Sequence, residues 1–283
     1  MSEVAILAEG LSFPEGPAFD AKGRLWAVEL KGEALVCLDK GELTRIPVGG
    51  RPNGLTLDAQ DRVYFCDSGH NAIRRYDPAQ QATESLLAAV VDTPLNMPND
   101  LAFDPAGTLV FTCPGQSREE PTGYLCARTP DGQASCIAAG FYFPNGLAFS
   151  PDGSELVVAE TYRQRIWRGR WDAATASWIK PQVWATGLEG PPGPDGMAFA
   201  EDGTLFVAVY GSSSIVHLDA AGHILERIPL PGANPTNCAF DPTGALGLVV
   251  TEAQNGRLLS LARPERGCPL NLPALPPHHQ DTP

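Results

Sequence analysis

The stretch FPEGPAFDAKGRLWAVE, residues 13–29, decides the fold, because its pattern returns five more times along the chain. Each copy has a polar residue near a proline, a short apolar segment, a turn such as PAGT or PDGS, and a second apolar run. Two β-rich runs joined by turn residues predict a hairpin. We therefore expect a chain built from repeated hairpins, each starting at one of these frames.

The copies follow one another at spacings of 38, 46, 46, 50 and 42 residues, which is the period of a propeller blade. Further β-rich runs usually follow each hairpin, so each unit supplies about four strands. Long stretches with a 3.6-residue period are absent, which excludes a helical solenoid. The sequence predicts an all-β, six-bladed β-propeller. The central frame residues are Glu15, Asn53, Asn99, Asn145, Asp195 and Asn237.

The two ends of the chain predict how the ring closes. The segment from Val4 to Ala8 resembles the outermost strands that precede later frames, whereas the last unit lacks such a strand. We expect this N-terminal strand to join the last blade. After NGRLLSLA the chain becomes proline-rich without a strand pattern. The prediction is one propeller domain, residues 1–265, and an irregular proline-rich tail, residues 266–283.

Composition limits the partners. A net charge of −13 argues against nucleic acid and against anionic membrane surfaces, which would repel the protein. No apolar run reaches about 18 residues and no secretory signal is recognisable, so we expect a cytoplasmic protein that does not bind membranes. The seven cysteines are scattered and unpaired in sequence, which favours reduced, mostly buried thiols. We expect a small-molecule partner and a monomer or weak homo-oligomer.

The frame residues are predicted to meet at one end of the central channel, because the innermost strand of every blade starts beside the axis. A proline before the position and a glycine after it fix a turn that directs the side chain inward. Asn and Asp are also common in turns for structural reasons alone, so a purely structural role is the alternative interpretation for any single frame. Glutamate has no such preference, so Glu15 favours the functional interpretation.

Four of the frame residues carry hard oxygen ligands in a combination that suits a divalent cation. They are Glu15, Asn99, Asn145 and Asp195. Two carboxylates balance the ion's charge, and without an ion they would repel each other and raise one pKa. We predict one divalent metal ion, with Ca²⁺ as the first choice and Zn²⁺, Mn²⁺ or Mg²⁺ as alternatives. The five histidines are too dispersed for a zinc site, and His278 and His279 lie in the tail.

On the motifs FPEGP, PNDLAFDPAG, FPNGLAFSPDG and GPDGMAFAEDGTLFVA, the chain resembles the senescence marker protein/gluconolactonase family of regucalcin-like sugar lactonases. The resemblance covers nearly the whole chain. It implies one functional ion held by Glu15, Asn145 and Asp195, with Asn99 beside it. Paraoxonases and diisopropylfluorophosphatase are more distantly similar. Animal sugar lactonases have an arginine two residues before the asparagine of the N-D motif, where this chain has Met97.

The chemistry expected is hydrolysis of a small lactone or ester. The ion would polarise the carbonyl and stabilise the developing charge, Asp195 would also act as general base, and Asn99 would orient the substrate. Loops that follow each second strand return to the same face, and aromatic residues precede the ligands. The predicted substrate-binding residues are Met97, His70, Tyr162, Phe143 and Tyr210. Further candidates around the site are Phe13, Asp67, Cys113, Tyr142, Glu160 and Glu252.

Several alternatives stay open at this point. A metal-dependent aryl-ester or organophosphate hydrolase fits the same ligand set, and so does a calcium- or ligand-binding propeller without catalysis. An enzyme like strictosidine synthase is a weaker alternative, because that group lacks this metal set. Serine nucleophile, phosphate-loop and H-E-x-x-H motifs are absent from the sequence.

Overall fold

The computed structural model describes residues 4–275 and shows six four-stranded antiparallel sheets around a central channel. The predicted six-bladed β-propeller is confirmed. Five of the blades run in chain order from an innermost to an outermost strand, and innermost strands of neighbouring blades contact each other. Among the described residues the helical structure is the 3₁₀ turn Thr161–Arg163. None of these residues belongs to a helix long and apolar enough to cross a membrane.

The strands of the described residues are, in chain order, β1 (Val4–Ala8), β2 (Pro14–Phe19), β3 (Leu25–Glu29), β4 (Ala34–Asp39), β5 (Glu42–Pro47), β6 (Pro52–Leu57), β7 (Val63–Asp67), β8 (Ala72–Asp77), β9 (Ala82–Leu87), β10 (Ala89–Val90), β11 (Thr93–Pro94), β12 (Leu101–Phe103), β13 (Leu109–Cys113), β14 (Gly123–Arg128), β15 (Ala134–Phe141), β16 (Pro144–Phe149), β17 (Glu155–Glu160), β18 (Arg165–Asp172), β19 (Ser177–Ala185), β20 (Gly193–Phe199), β21 (Leu205–Tyr210), β22 (Ser214–Leu218), β23 (Ile224–Pro229), β24 (Pro235–Phe240), β25 (Leu248–Glu252) and β26 (Arg257–Leu261). Blades 1 to 5 are β2–β5, β6–β9, β12–β15, β16–β19 and β20–β23. Strands β10 and β11 form a small separate hairpin between blades 2 and 3.

The ring closes through the N-terminal strand, as predicted. Strand β1 pairs antiparallel with β26, with Val4 opposite Leu261, and completes blade 6 as its outermost strand. The innermost strands of blades 6 and 1, β24 and β2, lie side by side. A blade made from both chain ends ties the first and last repeats together without a further connection.

The hydrophobic core lies between neighbouring blades, because each inner strand has both faces covered. Runs such as LVFTC and LFVAVY are therefore almost continuously buried rather than alternating. Between blades 1 and 2, Trp26 and Val28 pack with Leu57 and Phe65. Burial of one such aliphatic or aromatic side chain contributes about 1.5–3 kcal/mol.

The aspartate that ends several frames shapes the turn between the first and second strands. In blade 2, Asp58 Oδ1 accepts hydrogen bonds from the backbone N–H groups of Gln60 and Arg62, at 3.0 Å each. Its Oδ2 accepts from Arg62 Nε and from the hydroxyl of Tyr64. Aspartates at the same position in other blades cap their turns in the same way: Asp20, Asp104 and Asp241. This aspartate has a structural role at the end of the channel opposite the frame residues.

Hydrogen bonds between blades fix the backbones that carry the frame residues. The links run from Thr236 Oγ1 to Pro14 O (2.8 Å), from Gly54 N to Asn99 O (2.7 Å), from Thr112 Oγ1 to Asn145 O (2.9 Å) and from Thr161 Oγ1 to Pro194 O (2.8 Å). Each link joins the backbone at or just before the start of one innermost strand to the neighbouring blade. The backbone that carries these frame residues is thus positioned by hydrogen bonds between neighbouring blades.

Residues 266–275 cross the opposite end of the channel. The segment is held by blade 5 through Cys268 N to Phe199 O (2.9 Å), by blade 3 through Asn271 Nδ2 to Phe103 O (2.9 Å), and by blade 2 through Ala59 N to Pro273 O (3.1 Å). It closes a cavity of about 490 Å³ lined by the innermost strands. His278 and His279, and the rest of the predicted tail, lie outside the described residues.

Candidate active site

A bulge at the start of the innermost strand re-aims the frame side chain in five of the six blades. Pro14 pairs with Glu29 in blade 1, and the register then shifts between Glu15 and Ala18. Blades 2, 4, 5 and 6 show the same kind of shift directly after the frame proline. A β-bulge re-aims a side chain away from the normal alternation of the strand. The repeated Pro-x-Gly pattern therefore encodes a repeated inward-facing position.

Three buried carboxyl groups share this end of the channel. Glu15 is 5% exposed and Asp195 is 8% exposed, as is expected for the predicted pair, but Asp100, 7% exposed, joins them. Burial raises the pKa of Glu15 to about 8, and the nearby Asp100 adds to this effect. Burial followed by the charges of Glu15 and Asp100 raises the pKa of Asp195 well above its usual range. Burial also raises the pKa of Asp100 to about 7.

No basic side chain forms an ion pair with Glu15, Asp100 or Asp195 in the part of the chain that the structure describes. Buried carboxylates without a partner are costly, since both desolvation and mutual repulsion oppose ionisation. A divalent cation would compensate them, and hard oxygen ligands are what such ions prefer. The donor set therefore fits the predicted metal ion.

The amide residues complete the set. Asn145 Nδ2 donates to Thr161 Oγ1 at 3.1 Å, and the Asn145 side chain also forms a hydrogen bond with Asp195. Asn99 is half-buried, and its backbone is fixed by Asn99 N to Thr112 O at 2.9 Å. No three His, Cys, Asp or Glu side chains of residues 4–275 come close enough to hold an ion by themselves. An ion at this site would therefore need amide oxygens as well as carboxylates.

The structure changes which residue is central in the sixth frame. Pro235 pairs with Glu252 as Pro14 pairs with Glu29, so Thr236 and not Asn237 stands at the position of Glu15. The hydroxyl of Thr236 is used in the link to blade 1. Asn237 instead occupies the position of the frame glycine, and its side chain is buried in the channel.

Sequence reasoning missed Asp100, which also occupies the position of a frame glycine. Asn237 Nδ2 donates to Asp100 Oδ2 at 3.5 Å, so the two side chains meet across the channel from blades 6 and 3. Neighbouring glycines leave room for them: a Cβ on Gly54 would lie 2.0 Å from Asp100 Oδ1, and one on Gly196 would lie 1.9 Å from Asn237 Cγ. The sequence feature that could have identified these residues is the replacement of the frame glycine by Asp100 in the third frame and by Asn237 in the sixth.

Four aromatic residues, Phe13, Phe143, Tyr162 and Tyr210, form an aromatic rim around the channel mouth. Phe13 of blade 1 stacks on Tyr210 of blade 5 with ring centroids 6.4 Å apart. Because blade 6 lies between these blades, the pair must reach in front of it at the mouth. Phe143 and Tyr162 pack at 5.5 Å. Burial, followed by the charges of Asp195 and Glu15, raises the pKa of Tyr210, which places this phenol close to the carboxyl groups.

The residues before three frame prolines have a strained backbone. Phe13, Met97 and Phe143 have φ values of 61°, 51° and 60°. A bulky residue rarely adopts this left-handed region, and a following proline disfavours helical backbone further. Such strain concentrates at functional sites, where the surrounding structure determines it. The structure thus holds these side chains in fixed positions beside the ligand set.

Met97 and His70 have polar neighbours that the sequence did not predict. Met97 is half-buried, and its Sδ accepts a hydrogen bond from Gln116 Nε2 at 3.3 Å. His70 has a half-exposed side chain, and its Nδ1 lies 2.8 Å from Asp67 Oδ2. Gln116 therefore brings an amide to the place where animal sugar lactonases have an arginine.

Three acids predicted around the site are already used by the fold. Asp67 accepts from the backbone N–H groups of Arg51, Gly69 and His70 and from Arg74 Nη1. Glu160 accepts from Tyr142 N, Arg165 Nε and Trp167 Nε1. Glu252 accepts from Asn234 N, Gln254 N and Asn255 N. The carboxylates of Asp67 and Glu160 therefore already accept several hydrogen bonds from the fold, which leaves them fewer lone pairs for substrate hydroxyl groups. Asp67 and Glu252 each join the loop before the first strand of their blade to the loop after its second strand, whereas Glu160 joins the segment before β16 to β18.

Known proteins resemble this chain over most of its length. A gluconolactonase of Zymomonas mobilis is 27% identical over 277 residues, covering 85% of this chain and 76% of its own. The diisopropyl-fluorophosphatase of Loligo vulgaris is 37% identical over 286 residues, covering 88% of both chains. The solved structure of a gluconolactonase from Xanthomonas campestris superposes with a TM-score of 0.82 at 26% identity, covering 92% of this chain and 89% of its own.

The sequence pattern described as the SMP-30/Gluconolactonase/LRE-like region matches residues 13–254. This range begins at the first frame and ends just before the last strand, β26. It includes every frame residue and the whole aromatic rim. The chain belongs to the SMP-30/gluconolactonase/LRE-like family of six-bladed propellers.

Proposed function

We propose that this protein is a divalent-cation-dependent hydrolase that opens small lactones. The observation that carries the proposal is the group of three buried, uncompensated carboxyl groups beneath an aromatic rim. A protein that only binds other proteins through a propeller face has no need of such buried charge. Relatives named as gluconolactonases support the reaction class.

Glu15, Asn99, Asn145 and Asp195 would hold the ion, with Ca²⁺ as our first choice. When bound, the cation supplies positive charge that polarises an ester carbonyl and favours ionisation of water. Glu15 acts only as a ligand in this proposal, and its position is fixed by the hydrogen bond from Gly16 N to Oε2 at 3.0 Å. Asn145 is oriented by Thr161, as described above.

Asp195 would accept the proton of the attacking water as general base. Water then forms the new bond to the carbonyl carbon, the ring C–O bond breaks, and the proton passes from Asp195 to the leaving oxygen. Asn99, whose amide makes no side-chain hydrogen bond within residues 4–275, orients the substrate. The aromatic rim packs against the lactone ring and keeps bulk water from the reacting carbonyl.

The test is hydrolysis of a γ-lactone series, from unsubstituted to hydroxylated rings, by protein with excess Ca²⁺ or with chelator. We expect turnover that chelator abolishes and added cation restores. Asp195→Asn keeps an oxygen ligand but removes the base, so turnover should fall by 10²-fold or more at saturating cation. Full activity in chelator would refute the cation requirement, and near-normal turnover by Asp195→Asn would refute the role of this carboxylate as base.

A second candidate is hydrolysis of organophosphate esters. The 37% identity to the squid diisopropyl-fluorophosphatase over most of both chains favours it. A phosphoryl oxygen would take the place of the carbonyl oxygen at the same ligand set. Fluoride release from diisopropyl fluorophosphate, compared with lactone hydrolysis by the same preparation, decides between them. A kcat/KM for the fluorophosphate at least tenfold above that of every lactone would reverse our order of preference.

A further inference from the structure

Two exposed cations lie directly on the aromatic rim. Lys31, in the loop after β3, has its Nζ 4.9 Å from the ring centroid of Phe13. Arg118, in the loop after β13, has its Cζ 5.8 Å from the ring centroids of both Phe143 and Tyr162. These distances are those of cation–π contacts. The two cations therefore stand on rings that surround the mouth of the candidate active site.

Neither cation has an anionic partner among the described residues. Most other arginines of this acidic protein do form ion pairs. They include Arg24, Arg45, Arg62, Arg74, Arg165, Arg168 and Arg263. Glu119 and Glu120 follow Arg118 directly in the chain and are exposed, yet no ion pair joins either of them to Arg118. Unpaired positive charge is thus placed at the mouth of a negatively charged channel.

The aromatic rings beneath these cations belong to segments of the chain that also carry predicted ligands. Tyr162 follows Thr161, whose hydroxyl accepts the hydrogen bond from Asn145. Phe143 and Phe13 each stand two residues before a predicted ligand. Each cation therefore rests on an aromatic residue that stands two positions before a predicted ligand in the chain. A lactone whose carbonyl lies at the ligand set extends its remaining substituents over this rim.

The contact geometry leaves Arg118 able to bind an anion. A guanidinium group that rests on aromatic rings keeps its N–H edge for hydrogen bonds, and that edge matches the oxygens of a carboxylate or of a similar oxyanion. Lys31 adds a point charge on the Phe13 side of the mouth. Both groups are exposed, so a ligand reaches them without displacing a structural ion pair.

We propose, on the basis of the function proposed above, that the preferred substrates are lactones with an anionic oxygen-bearing substituent. Arg118 is the main specificity-determining residue, and Lys31 contributes less. The lactone carbonyl meets the ligand set while the carboxylate or other oxyanion pairs with Arg118 at the rim. The aromatic rim, with Met97, packs against the carbon skeleton between these two ends.

The test compares two lactones of equal shape: a γ-butyrolactone with a carboxylate on the carbon next to the ring oxygen, and the same lactone with the neutral carboxamide. Wild-type protein should show a kcat/KM for the carboxylate about tenfold or more above that for the carboxamide. Arg118→Gln should reduce this selectivity about tenfold and Lys31→Gln about threefold. Rising ionic strength should also reduce it.

The control is Arg170→Gln, which removes an exposed charge from β18, the third strand of blade 4, at the end of the blade away from the channel mouth. It changes net charge as Arg118→Gln does but should keep the wild-type selectivity. Equal kcat/KM for the two lactones in wild-type protein overturns the proposal. So does an equal loss of selectivity in Arg170→Gln and Arg118→Gln, because the net charge alone would then explain it.

A binding measurement separates this proposal from the proposed function. The hydroxy-dicarboxylate obtained by opening the carboxylate lactone is titrated calorimetrically into protein with excess Ca²⁺. About tenfold weaker binding to Arg118→Gln than to wild type supports the anion site, even where neither lactone is hydrolysed and the proposed reaction fails. Equal affinity of the two proteins overturns the anion site, whatever the turnover.

Discussion

A Glu15→Gln substitution should stabilise the metal-free protein and weaken its cation binding. In the folded channel burial raises the pKa of Glu15 to about 8, from an ordinary value of 4.5. Between these pH values the folded protein keeps a proton that the unfolded chain has lost. Stability therefore falls as pH rises through this window and levels off above it. Over the whole window the loss from Glu15 is about 5 kcal/mol.

Glutamine carries no charge, so the metal-free variant loses this pH dependence. It also no longer repels Asp195, whose pKa is raised partly by Glu15. At pH 8 in chelator the variant should therefore melt higher than wild type, by about 10 °C if about 2 °C corresponds to each kcal/mol in a domain of this size. Excess Ca²⁺ should reverse the order, because ligand binding stabilises the native wild-type protein by mass action.

The assay is thermal unfolding of both proteins from pH 5 to pH 8.5, with chelator and with Ca²⁺. The matched control is Glu42→Gln, which makes the same chemical change at an exposed position on β5, the outermost strand of the same blade. This control should follow wild type under every condition. A flat pH profile for metal-free wild type, or Ca²⁺ stabilisation of Glu15→Gln equal to that of wild type, would refute the reasoning.

Three further substitutions test the surroundings of the site. Gly146→Ala places a Cβ 2.2 Å from the carbonyl oxygen of Asp195, so cation affinity measured calorimetrically should fall at least tenfold; unchanged affinity would show that the strand moves freely. Thr236→Val removes the hydrogen bond to Pro14 O and should cost about 1–2 kcal/mol in chemical unfolding, whereas wild-type stability would deny this link a role. Asp100→Asn removes a carboxyl whose pKa is raised from 3.8 to about 7, so metal-free stability at pH 8 should rise by about 4 kcal/mol; a decrease would mean that this group is ionised without penalty.

The repeat and the ring closure could be predicted because both depend on local patterns. A proline, an apolar segment and a turn recur at a fixed period, and the segment at Val4–Ala8 reads as a strand without a local partner. The inward position of Glu15, Asn145 and Asp195 follows from the same pattern. The sixth frame was misread by one residue because its asparagine resembles the others. Its AFD segment, aligned with that of the first frame, would have identified Thr236.

The remaining features of the site depend on contacts between distant blades. Asp100 and Asn237 meet although 137 residues separate them, and Phe13 reaches Tyr210 past the intervening blade 6. The hydrogen bonds of Asp67 depend on where the backbone N–H groups of the folded loops point. A residue pattern does not predict these directions. Sequence reasoning therefore identified acids near the mouth but could not separate those that stabilise loops from those that remain free.

The number of hydrogen-bond donors around each acid separates these two roles. Glu160 is fully buried, yet it accepts from a backbone amide, a guanidinium and an indole, so its burial is compensated. Glu15 is similarly buried and accepts from Gly16 N and from the amide of Asn237, with no cation beside it. The fold thus provides more hydrogen-bond donors to Glu160 than to Glu15, although both side chains are buried. The buried carboxyl groups of the channel destabilise the metal-free protein, and a bound cation would relieve this cost. We therefore assign ion binding to Glu15 and Asp195 rather than to Asp67, Glu160 or Glu252.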